Sequence, residues 1–211
     1  MKSLFISATN TDVGKTFATI KLIDKLAQKG YKVGVFKPIE SGVENIPTDA
    51  KILLERCQKY NPNFRSLTPF DITAYTFKLP AAPFCATNNI IEIKPIIDKY
   101  NELSKLCDIL LIEGAGGLLV PITIDYMMID LALEFKSEVF LVTPTTLGSI
   151  NSTLLSMEAL HSRNIKFSWC VNLYHNKDNF NSVTKPFYDK KFPNWNFLEE
   201  SLDNFINNLK N

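Results

Sequence analysis

Ser7-Ala8-Thr9-Asn10-Thr11-Asp12-Val13-Gly14-Lys15-Thr16 follows the apolar run Leu4-Phe5-Ile6 and leads into a helical pattern. Strand, tight loop and helix N-terminus in that order make a phosphate-binding device. Backbone N–H groups of the loop and first helical turn converge on an anion, and the helix dipole adds favourable potential. In such a loop Lys15 reaches the terminal phosphates and the Thr16 hydroxyl serves a magnesium ion. The usual Gly-x-x-x-x-Gly-Lys-[Ser/Thr] spacing asks for glycine at position 9, where this chain has Thr9 preceded by Ala8. A bare Gly-Lys-Thr is often no more than a turn opening a helix, but the strand before it and the amphipathic helix after it favour the nucleotide reading. The missing glycine leaves a choice between a chance match and a variant loop of a narrower family.

Outward from the loop, apolar strand-like runs alternate with helical patterns. The sequence predicts strands over 4–7, 32–37, 107–113, 138–143 and 165–171, and helices over 16–29, 48–60, 92–106, 128–135 and 149–163. Residues 69–83 read as loop with a short strand at 73–76. Ile109-Leu110-Leu111-Ile112 is continuously apolar, the mark of a parallel strand buried on both faces. This alternation predicts an α/β, P-loop-type three-layer fold, with a mainly parallel open sheet and helices on both faces. A single domain over 1–211 is expected, with a variable C-terminal edge from about 174. That tail is rich in Asn, Lys and aromatics and weakly periodic until a final helix over 199–209.

Composition excludes several classes of function. Lys plus Arg number 23 against 22 Asp plus Glu, so a net charge of +1 gives no footing for nucleic acid or an anionic membrane as main partner. No apolar run approaches the roughly 18 residues that span a bilayer, and the N-terminus lacks a signal-peptide pattern. Cys57, Cys85, Cys107 and Cys170 are scattered without a Cys-x-x-Cys pair and read as buried thiols of a reducing cytoplasm. Two histidines, His161 and His175, do not suggest a histidine metal site.

Open α/β sheets bind ligands beyond the carboxyl ends of their strands, and polar clusters fall there. Glu113 ends an apolar run where a P-loop protein sets a second magnesium carboxylate; the plainer reading is an exposed strand-end acid. Asp49 offers another carboxylate, although an acid at a helix start is already favoured by the dipole. Lys37, held extended by Pro38, either adds positive charge beside Lys15 or is a solvated strand-end lysine. Ser41-Gly42 offers a hydroxyl and close backbone approach, or a simple turn. Gly148-Ser149-Ile150 opens a helix as a carboxylate cradle or as an ordinary start. Asn172 either reads a base with its amide or makes a turn.

Taken jointly, these residues resemble the dethiobiotin synthetases over about residues 3–172, in order and at matching spacings. The variant loop of that family, usually Thr-Gly-Thr-Asp-Thr-x-Val-Gly-Lys-Thr, is matched by residues 7–16. The match continues through Lys37-Pro38 with Ser41-Gly42, Asp49, Pro80-Ala81-Ala82-Pro83, Glu113-Gly114-Ala115-Gly116-Gly117 and Leu147-Gly148-Ser149-Ile150-Asn151. The resemblance implies conversion of 7,8-diaminononanoate, CO2 and ATP into dethiobiotin, ADP and phosphate through a carbamic–phosphoric anhydride. It implies catalytic roles for Lys15, Lys37 and Thr11, and magnesium at Thr16, Asp49 and Glu113. Asp12, Val13, Gly14, Lys15, Thr16 and Phe17 would wrap the nucleotide, with Asp49, Glu113, Gly114, Ala115 and Gly116 beside it and Asn172 at the base. Ser41 and Gly117 would contact the diamine. Family members are homodimers, so Gly148, Ser149 and Ile150 would receive the substrate carboxylate across the interface.

Ala8 and Asn10 depart from the family loop, and an alanine is tolerated there provided it needs no positive φ. The tail offers no confident match to the family's adenine-closing loop, so a loosely specified purine is expected. The runner-up is an ATP-driven partitioning or positioning switch, although such proteins usually carry a second lysine where Thr9-Asn10 stand. An amide-forming synthetase would need a glutaminase region for which this tail is too short.

Overall fold

The computed structural model describes residues 2–173 and 177–208, so Tyr174, His175 and the end of the predicted last helix lie outside the described residues. In chain order the strands are β1 (Lys2–Ala8), β2 (Val33–Phe36), β3 (Ile39–Ser41), β4 (Tyr75–Phe77), β5 (Ile109–Gly117), β6 (Glu138–Pro144) and β7 (Phe167–Asn172). The helices are α1 (Lys15–Gln28), α2 (Thr48–Gln58), α3 (Pro83–Ala86), α4 (Lys94–Ser104), α5 (Met128–Glu134), α6 (Ser149–His161), α7 (Lys177–Asn179), α8 (Lys185–Lys191) and α9 (Leu198–Asn208).

Five strands form one parallel sheet in the order β2-β5-β1-β6-β7, and β3 pairs with β4 in a small parallel sheet beside it. The three-layer α/β architecture is the one that the alternating pattern predicts. Leu4, Phe5 and Ile6 place β1 at the sheet centre because they are buried on both faces. Phe5 pairs with Ile112 of β5 on one side and Val139 of β6 on the other. The chain therefore leaves β1 at the middle of the carboxyl edge, between β5 and β6. In α1, Ala18, Leu22, Ile23 and Leu26 recur on the inward face. On the other face, Tyr100 of α4 stacks on Phe135 with ring centres 4.1 Å apart. Phe205 of α9 packs on Phe140 of β6, and Lys21–Glu199 and Lys25–Asp203 ion pairs tie α9 to α1.

Two expectations are corrected. The strand predicted over 107–113 does not stop at Glu113: the glycine-rich 114–117 stretch is the end of β5, which changes register against β1 between the Ile6–Glu113 and Ala8–Gly117 pairs. A Cβ on Gly114 would lie 3.0 Å from the Phe5 ring, so a side chain is crowded out where the strand bends. The tail is also helical over 177–191, with a π-helical turn over Phe180–Thr184 between α7 and α8. Phe180, Thr184 and Tyr188, spaced four apart, are buried there. Pro186 hides this pattern in the sequence, and the wider turn just before it accommodates the missing backbone N–H. No helix among the described residues is long and apolar enough to cross a membrane, and all four cysteines are free.

Candidate active site

Position 8, where the family loop usually has glycine, does not need one here because Ala8 is still strand. It is fully buried between Gly117 and Val142 and is not among the residues of positive φ. The left-handed positions fall later, at Asp12 (φ 56°) and Gly14 (φ 101°). Glycine is required at 14 twice over, since a Cβ there would also meet Asn172 Nδ2 at 2.2 Å. That Asn172 amide donates to the Val13 carbonyl at 2.9 Å and pins the loop just before the helix begins.

Lys15 opens α1, only 7% exposed, and its ammonium donates to the Asn10 carbonyl at 3.1 Å. Burial first, and then the neighbouring Lys37 charge, push its pKa down to about 8. One residue on, Thr16 Oγ1 donates to Glu113 Oε1 at 2.9 Å, and one helical turn after Lys15 the Thr19 hydroxyl lies 2.7 Å from Glu113 Oε2. Glu113 is fully buried and is also bound by Lys37 Nζ at 2.7 Å. The same ammonium donates to Asp49 Oδ2 at 2.8 Å. Burial opposes the charge on Lys37, but the Glu113 and Asp49 carboxylates outweigh it and hold the ammonium above the ordinary lysine range.

These groups open on a cavity of about 630 Å³ lined by Thr11, Asp12, Gly14, Lys15, Thr16, Phe17, Lys37, Ser41, Asp49, Ala115, Gly116 and Asn172, all anticipated from the sequence. Val13, Glu113, Gly114 and Gly117 do not line it, although Val13 and Glu113 bond to residues that do. Gly148, Ser149 and Ile150 do not line it; they start α6 beyond β6, with Gly148 exposed and Ser149 buried. A larger cavity of about 820 Å³ opens at the amino ends of the strands and holds none of these groups, so chemistry and not volume marks the site. Two functional-site residues escaped the sequence reading. Thr19 is legible in retrospect as the i+4 neighbour of Lys15. Glu40, buried at the cavity wall, accepts from the backbone of Asp49 and Ala50; its only sequence signal is an acid between apolar Ile39 and Ser41.

Magnesium suits this donor set. Two carboxylates, Glu113 and Asp49, with the Thr16 hydroxyl, are hard oxygen ligands, and the carboxylates already converge on one cation, the Lys37 ammonium. Among the described residues no group of three or more His, Cys, Asp or Glu side chains is placed to hold a metal ion, here or elsewhere, so the hydroxyl of Thr16 is part of the set.

A strand–loop–helix phosphate cradle with its lysine, backed by a buried carboxylate at the carboxyl edge of a parallel sheet, defines a P-loop nucleotide-using α/β protein. A family model described as an AAA domain matches residues 2–185. The chain is 60% identical to the ATP-dependent dethiobiotin synthetase of Sulfurovum sp., over 99% of this chain and 100% of that one. It is 37% identical to the one from Wolinella succinogenes, over 99% and 98%. Accordingly, the chain belongs to the family of ATP-dependent dethiobiotin synthetases. A plasmid partition protein from Borrelia burgdorferi shares its fold, with a TM-score of 0.63, 14% identity and 98% of each chain covered. At that identity the likeness concerns the fold alone.

Proposed function

We propose that this cavity makes dethiobiotin from 7,8-diaminononanoate, CO2 and ATP, with Lys15 and Lys37 as its catalytic cations. The observation that carries the assignment of roles is Lys37 fixed between Glu113 and Asp49 beside the phosphate loop. One substrate amine attacks CO2 and loses a proton, giving a carbamate. A carbamate oxygen attacks the γ-phosphorus and ADP leaves, giving the mixed anhydride. The second amine attacks the carbonyl carbon, loses a proton and expels phosphate as the cyclic urea closes.

In this scheme the backbone from Asp12 to Phe17 holds the phosphates, and Lys15 exchanges the Asn10 carbonyl for phosphate oxygens. Lys37 meets the charge that develops between carbamate and phosphoryl group, while Thr11 orients the acceptor and Ser41 and Gly117 hold the diamine. Charge stabilisation and alignment are the main protein contributions to such a transfer. Magnesium held by Thr16, Asp49 and Glu113 would neutralise phosphate charge. A second copy of the chain would bring its Gly148, Ser149 and Ile150 helix start to the substrate carboxylate, making the working form a homodimer. The reducing cytoplasm suits four free thiols. Asn172, which lines the cavity, would meet the base, and base selection is loose in this reading.

The test is nucleotide cleavage with and without diamine and bicarbonate, with the product identified by mass spectrometry and ATP compared with GTP and CTP. Joint stimulation by the two substrates and a cyclic urea are expected, with only modest differences among purine triphosphates. Cleavage indifferent to the diamine, with no cyclic urea, would sink the proposal.

A further inference from the structure

Glu40 sits on β3, three residues beyond Lys37, with its carboxylate buried. The helix it faces, α2, starts after Pro47 and has no side-chain cap of its own. Glu40 supplies the cap from a distance. Its Oε1 accepts from the Asp49 N–H at 2.9 Å and its Oε2 from the Ala50 N–H at 2.9 Å, with the Thr48 hydroxyl 3.3 Å away. These are the N–H groups that an N-cap side chain serves.

A cap lent by another element does what a local one cannot: it fixes the helix start relative to the lending strand. Here the tether closes a ring. Lys37 binds the Asp49 carboxylate, the Asp49 backbone binds Glu40, and three residues of chain lead from Glu40 back to Lys37. A serine at position 47 would cap α2 without adding an anion to the wall of a phosphate site. The extra carboxylate works against phosphate binding, so capping alone does not account for it.

We propose that Glu40 is a positioning residue, setting the Asp49 carboxylate against the Lys37 ammonium and the neighbouring Glu113. The inference rests on the reading of this cavity as a magnesium-nucleotide phosphoryl-transfer site. Supporting shells of this kind typically change metal affinity or activity by about 10–100-fold when removed.

The experiment compares Glu40→Ala, Glu40→Gln and Glu40→Ala combined with Pro47→Ser, which gives α2 a local cap but no tether. Melting temperature, turnover and the magnesium concentration for half-maximal binding of a fluorescent ATP analogue are measured on the full chain. For Glu40→Ala we expect a lower melting temperature, about a tenfold rise in the magnesium requirement and reduced turnover. Adding Pro47→Ser should restore the melting temperature and neither of the other two. Recovery of all three would reduce Glu40 to a helix cap and overturn the proposal. Should Glu40→Ala fail to fold, Glu40→Gln keeps one acceptor oxygen and carries the test: a wild-type magnesium requirement in that variant also overturns it. Failure of the wild type to form a cyclic urea would count against the functional reading, whereas the magnesium dependence of nucleotide binding tests Glu40 separately.

Discussion

Replacing Lys37 with methionine removes the cation that pairs with both Glu113 and Asp49 while keeping much of the length and burial of the side chain. Breaking a buried ion pair on one side costs about 3–5 kcal/mol. Two features reduce that figure here. Glu113 keeps its hydroxyl contacts to Thr16 and Thr19, and the Asp49 side chain is 41% exposed, so water takes over part of its solvation. A loss of about 2–3 kcal/mol remains, which for a chain of this size lowers the melting temperature by about 4–12 °C. The two carboxylates are then free to take another cation. Millimolar magnesium without nucleotide should therefore stabilise Lys37→Met more than the wild type, in which the ammonium already occupies their field. Turnover should fall by about a hundredfold or more, the scale of one preorganised charge donor. Scanning calorimetry in chelator and in magnesium, with steady-state kinetics beside it, reads all three effects. Magnesium stabilising the wild type as much as the variant would refute the idea that lysine and metal share the carboxylates. An unchanged turnover would remove Lys37 from the reaction.

Lys15 predicts a proton linkage. Its folded pKa of about 8 lies below the ordinary 10.5, so the unfolded chain binds more protons between those values and the contribution of this group to stability rises with pH across that window. Nucleotide phosphates favour the charged form, so binding ADP at about pH 9 should take up close to one proton, read by titration calorimetry in buffers of different ionisation enthalpy; no uptake would contradict the assignment. For Thr19→Val, which removes one of the groups around the buried Glu113 carboxylate, a loss of about 1–2 kcal/mol is expected in denaturant melts. Thr19→Ser should stay close to wild type, and a valine variant as stable as serine would show that the contact is dispensable.

What the sequence made legible was local. The apolar run from Ile109 to Ile112 reads as a buried parallel strand because its residues are all of one kind, and residues 7–16 read as a phosphate loop because its parts are contiguous. The convergence on Glu113 is another matter. Lys37 lies 76 residues from it and Thr16 lies 97 residues from it, and only the sheet order, with β5 between β2 and β1, brings the three together. Resemblance to a family supplied that juxtaposition where periodicity could not. Glu40 stayed hidden because its partners are backbone N–H groups nine and ten residues away, which carry no residue-type signal. The helix at 177–191 was obscured by Pro186, whose usual meaning as a helix stop gives way once a π turn precedes it.

The two lysines of the site stand in opposite energetic conditions, and that difference bears on how the proposed reaction is ordered. Among the described residues the Lys15 ammonium donates to one group, the Asn10 carbonyl, and its pKa is depressed by burial and Lys37 despite the nearby carboxylates, so an arriving phosphate relieves an unfavourable state and draws it readily. Lys37 is already satisfied by two carboxylates, one of them fully buried. Phosphate alone offers Lys37 little that it lacks, because leaving Glu113 would strand a buried anion. Its transfer toward the reacting groups becomes favourable only when another cation takes over the carboxylates and a second anion, the carbamate, stands beside the γ-phosphoryl group. A nucleotide bound without acceptor would then hold Lys15 but not Lys37, which keeps the second catalytic cation away from the γ-phosphoryl group until the diamine is in place and disfavours idle hydrolysis.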